Sequence, residues 1–143
     1  SATDLVYEIA ADLSATTKRL NAQNTNKNDI HFGIAIHFGA AVVGNLSSES
    51  CIDYTALGNE VNKVSRMEEL TKQGLIKNLV GPNGLIISKE AVNHLRYYKH
   101  ILNFEEIKLI KNSIKLRSFE DTQSVFYLQQ NDLIEQRTNK NIL

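Results

Sequence analysis

The chain has 143 residues, of which 42% are hydrophobic and 22% charged, and its 16 basic side chains balance its 16 acidic ones. This composition is typical of one globular domain, and a net charge of zero provides no overall field to attract nucleic acid or an anionic membrane. Because no run of about 18 apolar residues occurs, no transmembrane helix is predicted. The single cysteine, Cys51, excludes an internal disulfide and fits a reducing compartment. We therefore expect a cytoplasmic protein segment that contacts neither nucleic acid nor membrane.

The first predicted element is a helix that begins with a cap at Thr3 or Asp4 and ends near Leu20. Apolar residues recur along it at helical spacing, which indicates one face packed against a core. That face comprises Val6, Ile9, Ala10, Leu13 and Leu20. The polar run over residues 21–28 then predicts a loop.

Two strands are predicted next, over residues 31–37 and 40–43, with Gly39 between them. Because the connection is so short, we expect these strands to pair as a hairpin or a bulged bend. A loop over 47–53 and a helix from about residue 59 to 72 follow, and Gly74 should end that helix. The buried side of the helix should include Val61, Val64, Ser65 and Leu70.

The second half of the chain predicts a buried strand over 85–87 and a short helix that Ser88 caps and that ends near Leu95. Further strands are expected within 97–110, over 114–119 and over 125–128. Residues 129–143 should form a polar tail that frays, which leaves 1–128 as the folded domain. The alternation of helices and strands indicates an α/β or α+β fold.

The stretch 33–68 contains the motif DYTALGNEVNKVSR at 53–66, preceded by GIAIHFGAAVVGN at 33–45. It resembles the second half of a class III nucleotidyl cyclase catalytic domain, whose pattern reads roughly GIHxGxVVxG…xYTxxGxxVNxAxRxE. Residues 85–90 and 114–128 carry weaker similarity to later parts of the same domain. The resemblance implies an α+β fold, an α/β sandwich in which a ferredoxin-like sheet is packed by helices on one face. The N-terminal strands of the family are expected to be missing, so 1–128 would be an incomplete catalytic domain.

The resemblance assigns roles to four side chains. Arg66 would stabilise charge that develops on the phosphate in the transition state, and its guanidinium can donate two parallel hydrogen bonds. Asn62 would hold the ribose, and its spacing of one helical turn from Arg66 places both on one face. Thr55 would read the base edge, and threonine there favours adenine. Arg117 would bind the triphosphate, with Lys115 as the alternative occupant.

Each of these positions also has an ordinary structural explanation. Arg66 could pair with Glu69 on the helix surface, Asn62 could be bonded locally, Thr55 could simply favour a strand, and Arg117 could be a solvated strand residue. His37 is interpreted as a satisfied structural group. The four histidines and one cysteine show no zinc-site spacing.

The resemblance implies conversion of ATP to 3′,5′-cyclic AMP and pyrophosphate at a dimer interface. The family's metal-binding aspartates, which hold Mg²⁺ or Mn²⁺, would lie upstream of this chain, so we expect no metal ligands in it and no activity from it alone. We expect a homodimer or a strand-exchanged oligomer. The alternative is a degenerate cyclase-homology module that regulates a partner without catalysis.

Overall fold

The computed structural model describes residues 1–24, 28–45 and 54–140. Cys51 and the loop expected over 47–53 lie outside this part of the chain. The elements in chain order are α1 (Ala2–Gln23), β1 (Ile34–Ile36), β2 (Val42–Asn45), β3 (Tyr54–Leu57), α2 (Asn59–Leu70), α3 (Gly74–Val80), β4 (Leu85–Ser88), α4 (Lys89–His94), a 3-10 turn (Tyr98–His100), β5 (Glu105–Lys108), β6 (Ser124–Leu128) and α5 (Gln130–Lys140). No described helix has both the length and the hydropathy needed to cross a membrane.

Four strands form the main sheet, in the spatial order β1-β4-β6-β5. Strand β1 runs parallel to β4, with Ile34 opposite Leu85, whereas β4 with β6 and β5 with β6 are antiparallel pairs. All four residues of β4 are buried, which is the continuous apolar pattern expected of a central strand covered on both faces.

Helices cover both faces of this sheet, so the expectation of helices on one face is wrong. On one side, α1 packs against alternate residues of β4, Leu85 and Ile87. On the other side, α2 and α3 pack against Ile86. Because successive strand side chains point to opposite faces, one apolar strand serves two cores. The chain is therefore a three-layered α+β sandwich.

The predicted hairpin between the strands around Gly39 is also wrong. Strand β2 pairs antiparallel with β3, with Gly44 opposite Thr55, and these two form a separate ribbon. Strand β1 pairs with β4 instead, because β4 offers a buried apolar edge that the neighbouring segment does not. The ribbon leaves Val42 and Val43 exposed.

Helix α1 exists as predicted, but Ser1 is its N-cap and the opposite face is buried. The predicted face is wrong: Val6, Ile9, Leu13 and Leu20 are exposed, and only Ala10 of that set is buried. The buried face is formed by small and polar residues, namely Thr3, Asp4, Tyr7, Ala10, Ala11, Ser14 and Thr17. Their polar groups can be buried because they have partners: Ser14 Oγ donates to the carbonyl of Asn83 at 2.9 Å.

Asp4 illustrates how this polar face is tolerated. Burial by itself would raise its pKa, but hydrogen bonds from the Ser1 hydroxyl and amine and from the Arg96 and Tyr98 backbone amides outweigh that effect. Its pKa therefore lies well below the ordinary range. The carboxylate is charged at neutral pH and ties the start of α1 to the segment after α4.

The region after α2 departs from prediction in three places. Gly74 begins the short helix α3 with φ +42° rather than ending α2. No strand occurs over 114–119, where a turn with Ser118 at φ +67° stands instead. Helix α5 lies in the segment that we expected to fray, and its Leu133 is fully buried in the core shared with α1.

Tyr7 carries an unsatisfied group in that core, because its buried hydroxyl has no hydrogen-bond partner among the described residues. We expect Tyr7→Phe to raise the free energy of unfolding by about 1 kcal/mol, since it removes a desolvated polar atom and keeps the ring that contacts Tyr98. Urea denaturation at pH 7 measures this difference, and a destabilised variant would contradict it.

The same substitution has a pH signature. Burial, with Tyr98 and Asp132 nearby, raises the pKa of Tyr7. A raised folded pKa contributes stability below the unfolded pKa, about 10, and that stability is lost as the pH rises above it. The Tyr7→Phe variant has no hydroxyl to ionise and so does not lose this stability. The difference in free energy of unfolding between the variant and the wild type should therefore increase above about pH 10.

Candidate functional site

Helix α2 positions two of the four predicted site residues. It begins directly after β3 at Gly58, whose φ of +140° turns the chain from strand to helix and is readily adopted only by glycine. Asn62 and Arg66 follow one turn apart on the same side of the helix. Asn62 is exposed and Arg66 is half-buried. The structure therefore brings an amide and a guanidinium together at one surface.

Arg66 forms an ion pair with Glu69, which is the ordinary structural explanation for an arginine at this position. Its Nη1 lies 2.9 Å and 3.1 Å from the two carboxylate oxygens of Glu69. The Glu69 side chain is 48% exposed, and an exposed pair of this kind contributes about 1 kcal/mol or less. A phosphate could therefore replace Glu69 as the partner of Arg66 at little cost.

Thr55 lies on β3, the strand that leads into α2, and pairs through its backbone with Gly44. The orientation of its side chain is outside what the structure describes. Thr55, Asn62 and Arg66 nonetheless belong to one continuous strand–helix unit, because only Gly58 separates β3 from α2.

Arg117 lies elsewhere, in an exposed turn rather than on the predicted strand. The neighbouring Ser118 adopts the left-handed conformation that glycine favours. No hydrogen bond or ion pair links Arg117 or Lys115 to α2 within the described part of the chain. The triphosphate-binding role of either residue stays a prediction.

Sequence reasoning missed a polar cluster at the carboxyl ends of β1 and β4. His37 follows β1, Ser88 ends β4, and Glu60 lies in the first turn of α2. The His37 Nδ1 is 2.7 Å from Ser88 Oγ, and its Nε2 contacts Glu60 Oε2. His37 is thus a satisfied structural group, as expected, but its partners lie 51 and 23 residues along the chain and no local pattern marks them.

A second ion pair borders this cluster, between Lys63 of α2 and Glu90 of α4 at 3.5 Å. Burial would raise the pKa of Glu90, but the hydrogen bond from its own backbone amide and the nearby Lys63 ammonium outweigh that effect and lower it. Glu90 therefore stays ionised at neutral pH and holds the Lys63 ammonium against α4.

Neither of two cavities beside α2 is lined by Asn62 or Arg66. One of about 490 Å³ includes Lys63 and Glu90, and one of about 710 Å³ lies at the far end of the helix beside Thr71. Asn62, which is exposed, and Arg66, whose side chain is 32% exposed, reach the surface outside both of these cavities. Among the described residues, no group of three His, Cys, Asp or Glu side chains could hold a metal ion, so no chemical step through a metal is derived from them.

Comparison with known proteins agrees with the motif. A family model described as the adenylate and guanylate cyclase catalytic domain matches residues 1–125. An adenylate cyclase from Anabaena cylindrica is 29% identical over 122 residues, which cover 85% of this chain and 22% of that protein.

The crystal structure of the adenylyl cyclase CyaB from P. aeruginosa matches the fold with a TM-score of 0.53 at 22% identity, over 81% of this chain and 50% of that one. At this identity the likeness shows the fold, and the expected α+β nucleotidyl cyclase fold is confirmed. The chain spans about a fifth of the length of the Anabaena protein and half of the CyaB chain.

Proposed function

The chain belongs to the adenylate and guanylate cyclase catalytic domain family, and from that premise we propose that it forms part of an adenylate cyclase. The reaction is attack of the ATP 3′-hydroxyl on the α-phosphorus, which forms 3′,5′-cyclic AMP and releases pyrophosphate. The observation that supports this most is the β3–α2 unit, which presents Asn62 and Arg66 one turn apart at an open surface.

The roles follow from the donor and acceptor capacity of each side chain. The amide of Asn62 can hold the ribose oxygen and so orient the 3′-hydroxyl toward the phosphorus. Arg66 exchanges Glu69 for the non-bridging phosphate oxygens, where negative charge grows as the new bond forms. Thr55 can both donate to and accept from the edge of adenine.

The remaining parts of the site come from an exposed turn of this chain and from outside the chain in this proposal. Arg117, or Lys115 in its place, binds the triphosphate after movement of its exposed turn. Mg²⁺ or Mn²⁺ would neutralise the triphosphate and activate the nucleophile, held by carboxylates that another segment supplies. A second copy, in a homodimer or strand-exchanged oligomer, completes the site at the open face of α2, and the cytoplasm supplies the ATP.

We expect the 143-residue chain alone to form no cyclic AMP from Mg-ATP or Mn-ATP, whereas the full-length protein does. The reason is that, in the part of the chain that the structure describes, no group of three His, Cys, Asp or Glu side chains could hold a metal ion. Chromatographic detection of cyclic AMP, with GTP as the competing substrate, tests both the activity and the choice of base. Activity of the purified chain that survives metal titration would contradict the expectation, and preferred turnover of GTP would overturn the role of Thr55.

A degenerate module that regulates a partner is the second candidate, and it is favoured by the lack, among the described residues, of a group of three His, Cys, Asp or Glu side chains that could hold a metal ion. In that case the full-length protein forms no cyclic AMP by itself but changes the rate of an active cyclase with which it assembles. The same assay, run with and without that partner, separates the two functions.

A further inference from the structure

The cluster of His37, Glu60 and Ser88 connects the N-terminal turn of α2 to the main sheet. The His37 side chain is only 3% exposed and both of its ring nitrogens have partners. It links the ends of two parallel strands to the first turn of the helix that bears Asn62 and Arg66.

Hydrogen-bond chemistry sets the direction of this link. The amide of Ala91 donates to Ser88 Oγ at 3.1 Å, so the Ser88 hydroxyl proton is available for His37 Nδ1. A carboxylate only accepts, so Nε2 must carry the ring proton and donate it to Glu60. The neutral imidazole with its proton on Nε2 therefore satisfies every group in the chain from Ala91 to Glu60.

Glycine at position 39 supports the same contact. A Cβ on Gly39 would lie 2.6 Å from Cγ and 2.7 Å from Oε2 of Glu60. The Glu60 side chain thus passes directly over Gly39 to reach His37. Any larger side chain at position 39 would therefore displace the Glu60 side chain from its contact with His37.

The rest of α2 shows why such a link is needed. Its buried residues, Met67 and Leu70, both lie in the second half of the helix. The N-cap, Gly58, has no side chain with which to cap the first turn. The first half, which carries Asn62, has only partly buried apolar residues, Val61 and Val64, and adds two polar contacts, those of Glu60 with His37 and of Lys63 with Glu90.

We infer that His37 is a positioning residue, which through Glu60 fixes the first half of α2 against the sheet and so sets where Asn62 meets the nucleotide. The effect on catalysis rests on the proposed function, whereas the effect on the helix does not. Loss of the link should loosen residues 59–64 and leave 67–70 anchored by their apolar contacts.

His37→Asn and Glu60→Ala both break the link, since asparagine is too short to reach Glu60. Glu60→Gln keeps an acceptor for Nε2–H and is the conservative variant. In the full-length protein we expect both breaking variants to lower kcat about tenfold with little change in KM. The double variant should be no worse than either single one. Glu60→Gln and the exposed control His100→Gln should stay near the wild type.

Amide hydrogen exchange gives a readout that needs no activity. Exchange at residues 59–64 should accelerate roughly tenfold in both breaking variants, while that at 67–70 stays unchanged. Equal acceleration along all of α2, or unchanged exchange with normal kcat, would overturn the inference. Should His37→Asn fail to fold, Glu60→Ala decides alone, because that side chain is 39% exposed. If the wild type forms no cyclic nucleotide, the proposed function fails and hydrogen exchange still decides the role of His37.

Discussion

Replacing Arg66 with alanine in the full-length protein is expected to lower kcat for cyclic AMP formation by about 10²-fold or more, with little change in KM for ATP. The guanidinium should contact charge that grows only as the α-phosphorus is attacked, so its loss appears in the chemical step. Arg66→Lys should recover little of the rate, because a point ammonium cannot donate two parallel hydrogen bonds. Steady-state kinetics with ATP measures both effects.

Glu69 provides the matched control for this experiment. Glu69→Gln removes the charge that pairs with Arg66 in the structure, and we expect its kcat to equal or exceed that of the wild type. Because this ion pair is exposed, the melting temperatures of the Arg66 and Glu69 variants should stay close to that of the wild type. Near-normal kcat for Arg66→Ala would show that the arginine serves only its pair with Glu69.

A loss of about 3 kcal/mol in the free energy of unfolding is expected for Asn83→Ala. Asn83 is 2% exposed and adopts the left-handed conformation at φ +58°. Its Oδ1 accepts from the Phe32 amide at 2.9 Å and its Nδ2 donates to the Ile30 carbonyl at 3.2 Å. Alanine would leave both backbone groups without these partners and would keep the unfavourable backbone conformation.

Two variants separate these causes in urea denaturation. Asn83→Gly loses the same hydrogen bonds but adopts positive φ freely, so it should be less destabilising than alanine by about 1 kcal/mol. Ser113→Ala replaces a polar residue at a similar φ of +57° on the surface, where no buried hydrogen bond is lost, and should cost about 0.5 kcal/mol or less. If Asn83→Ala costs no more than Ser113→Ala, the buried hydrogen bonds contribute nothing measurable.

Several features could be predicted because they depend on residues close together in the chain. The position of α2, with Asn62 and Arg66 on one side, follows from helical periodicity alone. The cap of α4 at Ser88 follows from one side chain and an amide three residues later. The family resemblance rests on the same contiguous segment, 53–66, and the family model bears it out.

Other features were decided only when distant segments met. The spacing along α1 shows that Val6, Ile9 and Leu13 share a side, but the buried side is the one whose polar groups find Asn83, Arg96 and Tyr98. Periodicity identifies faces and cannot say which one the sheet will accept, because burial of a polar face depends on partners that come from elsewhere in the chain.

Dependence on distant partners also explains why β1 does not pair with β2 and why His37 contacts Glu60. Gly39 indicates that one strand ends before the next begins. Only the buried edge of β4, however, determines that β1 pairs with β4, so that β2 pairs with β3. Sequence by itself thus determined which residues share the helix of the candidate site. The tertiary structure decided how that helix is held, because its link to the sheet joins groups that come together only when β1 and β4 lie side by side.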